Sequence, residues 1–140
     1  MTPIAIRILV VDDNEAVRRG ICQLLQSQAD IEIVCQASDG ADAVRKAREH
    51  RPDLVLLDIT MPTMNGLEAT RMIKQELPST EILIVSQHDS RIHETDALAA
   101  GASGYVVKSN ASRDLLPAVR KIQSERLRRE NDNPSGADRE

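Results

Sequence analysis

Aromatic side chains are nearly missing from this 140-residue chain: it has no Trp, no Phe and one tyrosine, Tyr105. That removes the stacking platforms on which single-stranded nucleic-acid binders rest bases, and it obliges the core to be aliphatic. Cysteine is scarce too. Cys22 and Cys35 each stand inside an apolar pattern and read as reduced, buried thiols rather than as a disulfide framework. No apolar run approaches the roughly 18 residues that a membrane span needs. The opening MTPIAIRILVV has one Arg and a strand-like run but no small-residue cleavage site, so no secretory signal is read there and a cytoplasmic location is expected. Neither sign of charge dominates. Eighteen basic against 22 acidic residues give a net of −4, which argues against nucleic-acid binding over the whole surface.

What is present is a run-and-helix alternation. Apolar runs recur at Ile6–Val11, Ile31–Val34, Leu54–Leu57, Ile82–Val85 and Tyr105–Val107. They are continuous rather than alternating, the pattern of strands buried on both faces of a parallel sheet. Between them lie helical spacings. Val17, Ile21, Leu24 and Leu25 share a face of a first helix opened by Asp13 or Asn14. Asp39 caps a second, with Ala41, Val44 and Ala47 inward. Asn65 and Glu68 resemble a capping box for a third, carrying Leu67, Ile73 and Leu77. A fourth, Ala-rich helix runs from about Arg91 to Ala100 and is stopped by Gly101, and Ser112 opens a fifth with Leu115, Val119 and Ile122 on one face. A chain of this length forms one domain, here an α/β (βα)₅ unit with helices on both sides of a parallel sheet. The closing NDNPSGADRE is polar and turn-rich; residues 126–140 read as a polar tail or the start of a linker after a folded unit over 1–125.

The chemistry lies at the ends of the runs. Asp12-Asp13 follows the first, Asp58 the third, Ser86 the fourth and Lys108 the fifth. In an open parallel sheet the ligand crevice lies beyond the carboxyl ends of the strands, so four strands deliver polar groups to one edge. Taken singly, each has a plainer role: helix cap, turn former, amide acceptor, solvated lysine. Together the three carboxylates need positive charge. Two unit charges 4 Å apart repel by about 4 kcal/mol at an effective dielectric near 20, and Lys108 supplies one cation. An all-oxygen carboxylate pocket suits a hard divalent ion, Mg²⁺ by preference. His50, His88 and His93 have no zinc-like spacing. A cation, a lysine and a hydroxyl around a carboxylate equip a site for phosphoryl transfer, with the carboxylate itself as acceptor. Asp58, ending the central run, is the candidate.

VVDDN, LVLLDITMPTMNGLE, IVSQHD and GASGYVVKS resemble the receiver domain of bacterial two-component response regulators, over about Ile6 to Glu125. The resemblance implies a flavodoxin-like doubly wound parallel sheet with strand order 2-1-3-4-5. It implies Asp58 as phosphoacceptor for a sensor histidine kinase. Asp13 and Asp58 would be Mg²⁺ ligands with the Thr60 backbone carbonyl, and Asp12 would act mainly through water. Lys108 would contact the phosphoryl oxygens, and Ser86 and Tyr105 would be the switch pair. Ser109 stands where many receivers have Pro, and with SQHD this is similar to regulators with a LuxR- or NarL-type output. Thr60 and Gln87-His88 would flank the path of an attacking water.

The expected function is a phosphorylation-dependent switch rather than an enzyme, expected neither to span a membrane nor to touch DNA except through an output domain absent from these residues. Homodimerisation would follow phosphorylation. A stand-alone phosphorelay protein is the alternative. An aspartyl-phosphate phosphatase would want an acid at Thr60, and a nucleotide-binding module would want a Gly-rich loop where DDNEAVRRG stands. The basic residues Arg120, Lys121, Arg126, Arg128 and Arg129 read as a solvated helix face.

Overall fold

The computed structural model describes residues 5–59 and 65–132, the last three by backbone alone. Five strands, β1 (Ile6–Val11), β2 (Ile31–Ala37), β3 (Leu54–Leu57), β4 (Glu81–Ser86) and β5 (Gly104–Val107), alternate with α1 (Glu15–Gln26), α2 (Gly40–His50), α3 (Gly66–Glu76), α4 (Arg91–Ala100) and α5 (Ala111–Asp132). All neighbouring strands are parallel, in the order β2-β1-β3-β4-β5. This is the expected doubly wound, flavodoxin-like sheet.

Continuous apolar runs become a two-sided core because successive strand side chains point to opposite faces. Leu9, Val11, Val55, Leu57, Ile82 and Ile84 pack with Ala43, Val44 and Ala47 of α2, Ala69 and Ile73 of α3 and Ala97 of α4. Ile8, Val10, Leu54, Leu56, Leu83 and Val85 turn the other way, onto Ile21 and Leu25 of α1 and Leu115, Val119 and Ile122 of α5. Helices thus divide two and three across the sheet.

The helix starts follow from local capping. Asn14, not Asp13, caps α1, its side chain accepting from the Val17 N–H; Asp39 and Asn65 do the same for α2 and α3 through the Asp42 and Glu68 amides. Gly101 ends α4 with φ at 115°, a left-handed geometry that suits glycine.

Several boundaries differ from the sequence pattern. Ala43 rather than Ala41 carries the inward face of α2; Ala41 is exposed. β2 runs on through Cys35 and Gln36 to Ala37, after a register shift between the Ile8 and Leu9 pairings. As an edge strand it needs no second apolar face there. A 3₁₀ turn, Lys108–Asn110, leads into α5, which starts at Ala111, one residue before Ser112. α5 also continues past residue 125 to Asp132. Nor are its basic residues simply solvated: Arg120 pairs with Asp30, Arg126 with Asp53 and Arg129 with Glu81. Both cysteines are free, Cys22 buried and Cys35 half-buried.

Candidate functional site: an acidic cluster at the strand ends

Strand register puts the acidic residues side by side. Val11 and Leu57, the last residues of β1 and β3, are partners, so Asp12 and Asp58 leave the sheet together. Their main chains are fixed as they do so: the Asp58 N–H donates to the Val11 carbonyl and the Asp12 N–H to the Ala37 carbonyl, each at 3.2 Å. On the other side of β3, Ser86 pairs with Val107, which brings Lys108 to the same edge.

Carboxylate oxygens of Asp12, Asp13 and Asp58 all lie within 4.8 Å of one another. Asp12 and Asp58 are buried, 1% and 4% exposed, whereas Asp13 faces solvent. The Lys108 ammonium stands between the buried pair, its Nζ 2.7 Å from Asp12 Oδ2 and 3.2 Å from Asp58 Oδ2. Burial pushes the lysine pKa down, but the Asp12 contact and the charge of Asp58 outweigh it, and the net shift is upward. Lys108 is therefore a fixed cation at neutral pH.

One ammonium against three carboxylates leaves two negative charges in excess. Asp12 Oδ1 accepts from the Asn14 N–H at 2.9 Å, yet Oδ2 is buried with no aligned hydrogen-bond donor. Among the described residues, the one cation beside it is the Lys108 ammonium, at 2.7 Å. Excess charge, an all-oxygen donor set and an oxygen with unmet acceptor capacity fit a hard divalent cation. Thr60, expected to add its carbonyl, lies outside the described residues.

Ser86 and Tyr105 are joined through a third residue. Ser86 is fully buried, and its Oγ accepts from the His88 N–H at 3.1 Å. The Tyr105 hydroxyl donates to the His88 carbonyl at 2.6 Å. The His88 ring in turn stacks on His93 of α4, centroids 4.4 Å apart. The strand-end serine, the lone tyrosine and the start of α4 thus meet at one residue, His88.

Two residues that motif reading passed over also shape the site. Gly66 gives its N–H to the Ile59 carbonyl at 2.7 Å and has the Asp58 backbone directly against it; its signal, the NG after the Pro-containing loop, was absorbed by the capping pattern. Arg18 donates to the Asp12 carbonyl at 2.7 Å, although VRRG looks like an ordinary exposed helix face.

Comparison with known proteins identifies the frame around this cluster. The family model described as "Response regulator receiver domain" matches residues 8–120. The chain belongs to that family. It is 42% identical over 118 residues to the response regulator protein VraR of Staphylococcus aureus, covering 83% of this chain and 56% of that one. This receiver chain therefore spans a little over half the length of the curated relatives it matches. Among solved structures it is similar to a LuxR-family two-component response regulator from Aurantimonas sp. SI85-9A1, with a TM-score of 0.83, 38% identity and 86% of each chain covered. It is also similar to a chain of the CheX–CheY–BeF3–Mg complex of Borrelia burgdorferi, with a TM-score of 0.80, 29% identity and coverage of 85% of this chain and 90% of that one. The LuxR-type likeness of SQHD and Ser109 agrees with these relatives. Among the described residues, no helix is long and apolar enough to cross a membrane.

Proposed function

We propose that this receiver accepts a phosphoryl group on Asp58 from the phosphohistidine of a sensor histidine kinase and passes the event to an attached LuxR-type transcriptional output. The observation that carries the reading is the Asp12–Asp13–Asp58 cluster with Lys108 between its buried members. An Asp58 carboxylate oxygen attacks phosphorus in line; the bond from phosphorus to the kinase imidazole breaks as the new O–P bond forms, and the imidazole keeps the electron pair. Asp12, Asp13, Asp58 and the Thr60 carbonyl would hold Mg²⁺, which when bound offsets charge on the transferring oxygens. Lys108, already protonated, supports the phosphoryl oxygens from the other side.

The aspartyl phosphate adds about two negative charges and new acceptor oxygens. Ser86 turns its hydroxyl from the His88 amide towards them, and Tyr105, sharing His88 as partner, changes position with it. Such a two-state element biases the surface of α4, β5 and α5, which would favour a homodimer. The receiver proper spans 1–125, and 126–140 forms the tail or linker, its first turns continuing α5. DNA is reached through the LuxR-type output and not through the receiver. The protein acts in the cytoplasm, as a switch that assists its own phosphorylation and dephosphorylation and not as an enzyme on an external substrate.

Support for the output comes from the VraR and LuxR-family relatives, and support for Mg²⁺ from the acidic cluster itself and from the complex that names it. The test is phosphorylation by a small phosphodonor with Mg²⁺ and the whole chain. Asp58→Asn should abolish labelling; strong labelling of another residue refutes the assignment.

A further inference from the structure

Asp12 is held at its amide by Ala37 and at Oδ1 by the Asn14 N–H. Its carbonyl is the other main-chain point of attachment, and Arg18 takes it: Nη1 donates to that oxygen at 2.7 Å while Nε donates to Gln36 Oε1 at 3.1 Å. The guanidinium therefore spans from the turn after β1 to the edge strand β2. It is itself fixed at its root, because the Arg18 N–H bonds the Asn14 carbonyl at 2.9 Å and Asn14 caps α1. Among the described residues the adjacent Arg19 forms only an exposed pair with Glu15 on its own helix, so the arrangement is particular to position 18.

We propose that Arg18 is a positioning residue for the divalent-cation site, clamping the Asp12 main chain so that Oδ2 stays aimed at the space shared with Asp13 and Asp58. The inference rests on the reading of that cluster as a Mg²⁺ site. A planar fork can hold two acceptors lying in different directions, which a lysine ammonium on a flexible stem does less well. Partners one step removed from a metal typically change its affinity by about 10–100-fold when lost.

The test is calorimetric titration of the whole chain with Mg²⁺. Arg18→Gln should raise the dissociation constant about tenfold. Labelling by a small phosphodonor should slow at low Mg²⁺ and recover the unmutated plateau at saturating Mg²⁺. A merely structural loss would lower the folded fraction seen by circular dichroism, and any rise in the constant would then vanish once corrected for that fraction. Gln36→Leu keeps the Asp12 contact and should give a smaller rise, which decides the matter if Arg18→Gln does not fold. Arg19→Gln should leave the constant unchanged. Equal constants in the unmutated chain and both Arg18 and Gln36 variants overturn the role of Arg18, as does an equal rise in Arg19→Gln. Failure of the unmutated chain to bind Mg²⁺ overturns the underlying reading of the cluster instead.

Discussion

Gly66 and Asp58 touch through their main chains: a Cβ on Gly66 would lie 2.2 Å from the Asp58 carbonyl oxygen. The obstacle is backbone, not the tip of a mobile side chain, so relief requires moving the segment that carries Asp58. Gly66→Ala should destabilise the fold by about 1–3 kcal/mol, the usual range for overpacking, and weaken Mg²⁺ binding at the same time. Urea unfolding and calorimetry on the same sample check both effects; unchanged binding would separate Gly66 from the cluster.

Lys108 and a divalent cation compete for the same carboxylates. Replacing Lys108 by Met should therefore tighten Mg²⁺ binding, by about fivefold or more, since one charge at such distances is worth about 1–4 kcal/mol between bulk-water and near-surface dielectrics. Labelling from a small phosphodonor should nonetheless fall, because the phosphoryl oxygens lose their fixed cation. Opposite movements of binding and labelling are the signature to look for.

Removing the Tyr105 hydroxyl severs its 2.6 Å bond to the His88 carbonyl. Tyr105→Phe should cost about 0.5–1.5 kcal/mol, as for a single hydrogen bond. Amide hydrogen exchange should quicken locally, between Ser86 and the first turn of α4, with the rest of the sheet unaffected.

At the opposite end of the molecule, the Arg120 hydrogen bond holds the Asp30 carboxyl below its ordinary value, against a smaller opposing effect of burial. A depressed folded value means stability that is present above the unfolded carboxylate value, about 3.9, and lost as pH falls through the lower folded one. The difference in urea midpoint between the unmutated chain and Asp30→Asn should be constant above about pH 5 and close below about pH 4.

Strands such as Leu54–Leu57 were legible because burial on both faces leaves an uninterrupted apolar run. β2 was cut short for the converse reason. Gln36 at the sheet edge faces solvent, so its backbone pairing leaves no hydrophobic trace. Asp12, Asp13, Asp58 and Lys108 could be read because parallel topology forces strand ends to one rim. Gly66 could not, since its role is the space it leaves for another peptide, and spacing does not encode that. Arg18 is not legible because it acts through a carbonyl reached across the fold, and His88, legible only as a flank of the water path, joins Ser86 to Tyr105 through main-chain atoms that any residue could carry.

α5 begins at the rim that holds the acidic cluster and, over 22 residues, runs about 33 Å at helical rise. Near its far end Arg126 and Arg129 are fastened to Asp53 and Glu81, where β3 and β4 start. That end of α5 is out of electrostatic reach of the acidic cluster at physiological ionic strength, where the Debye length is about 8 Å. A charge added at the cluster would be felt there through shifts in packing along the helix and its anchoring pairs, not through its field.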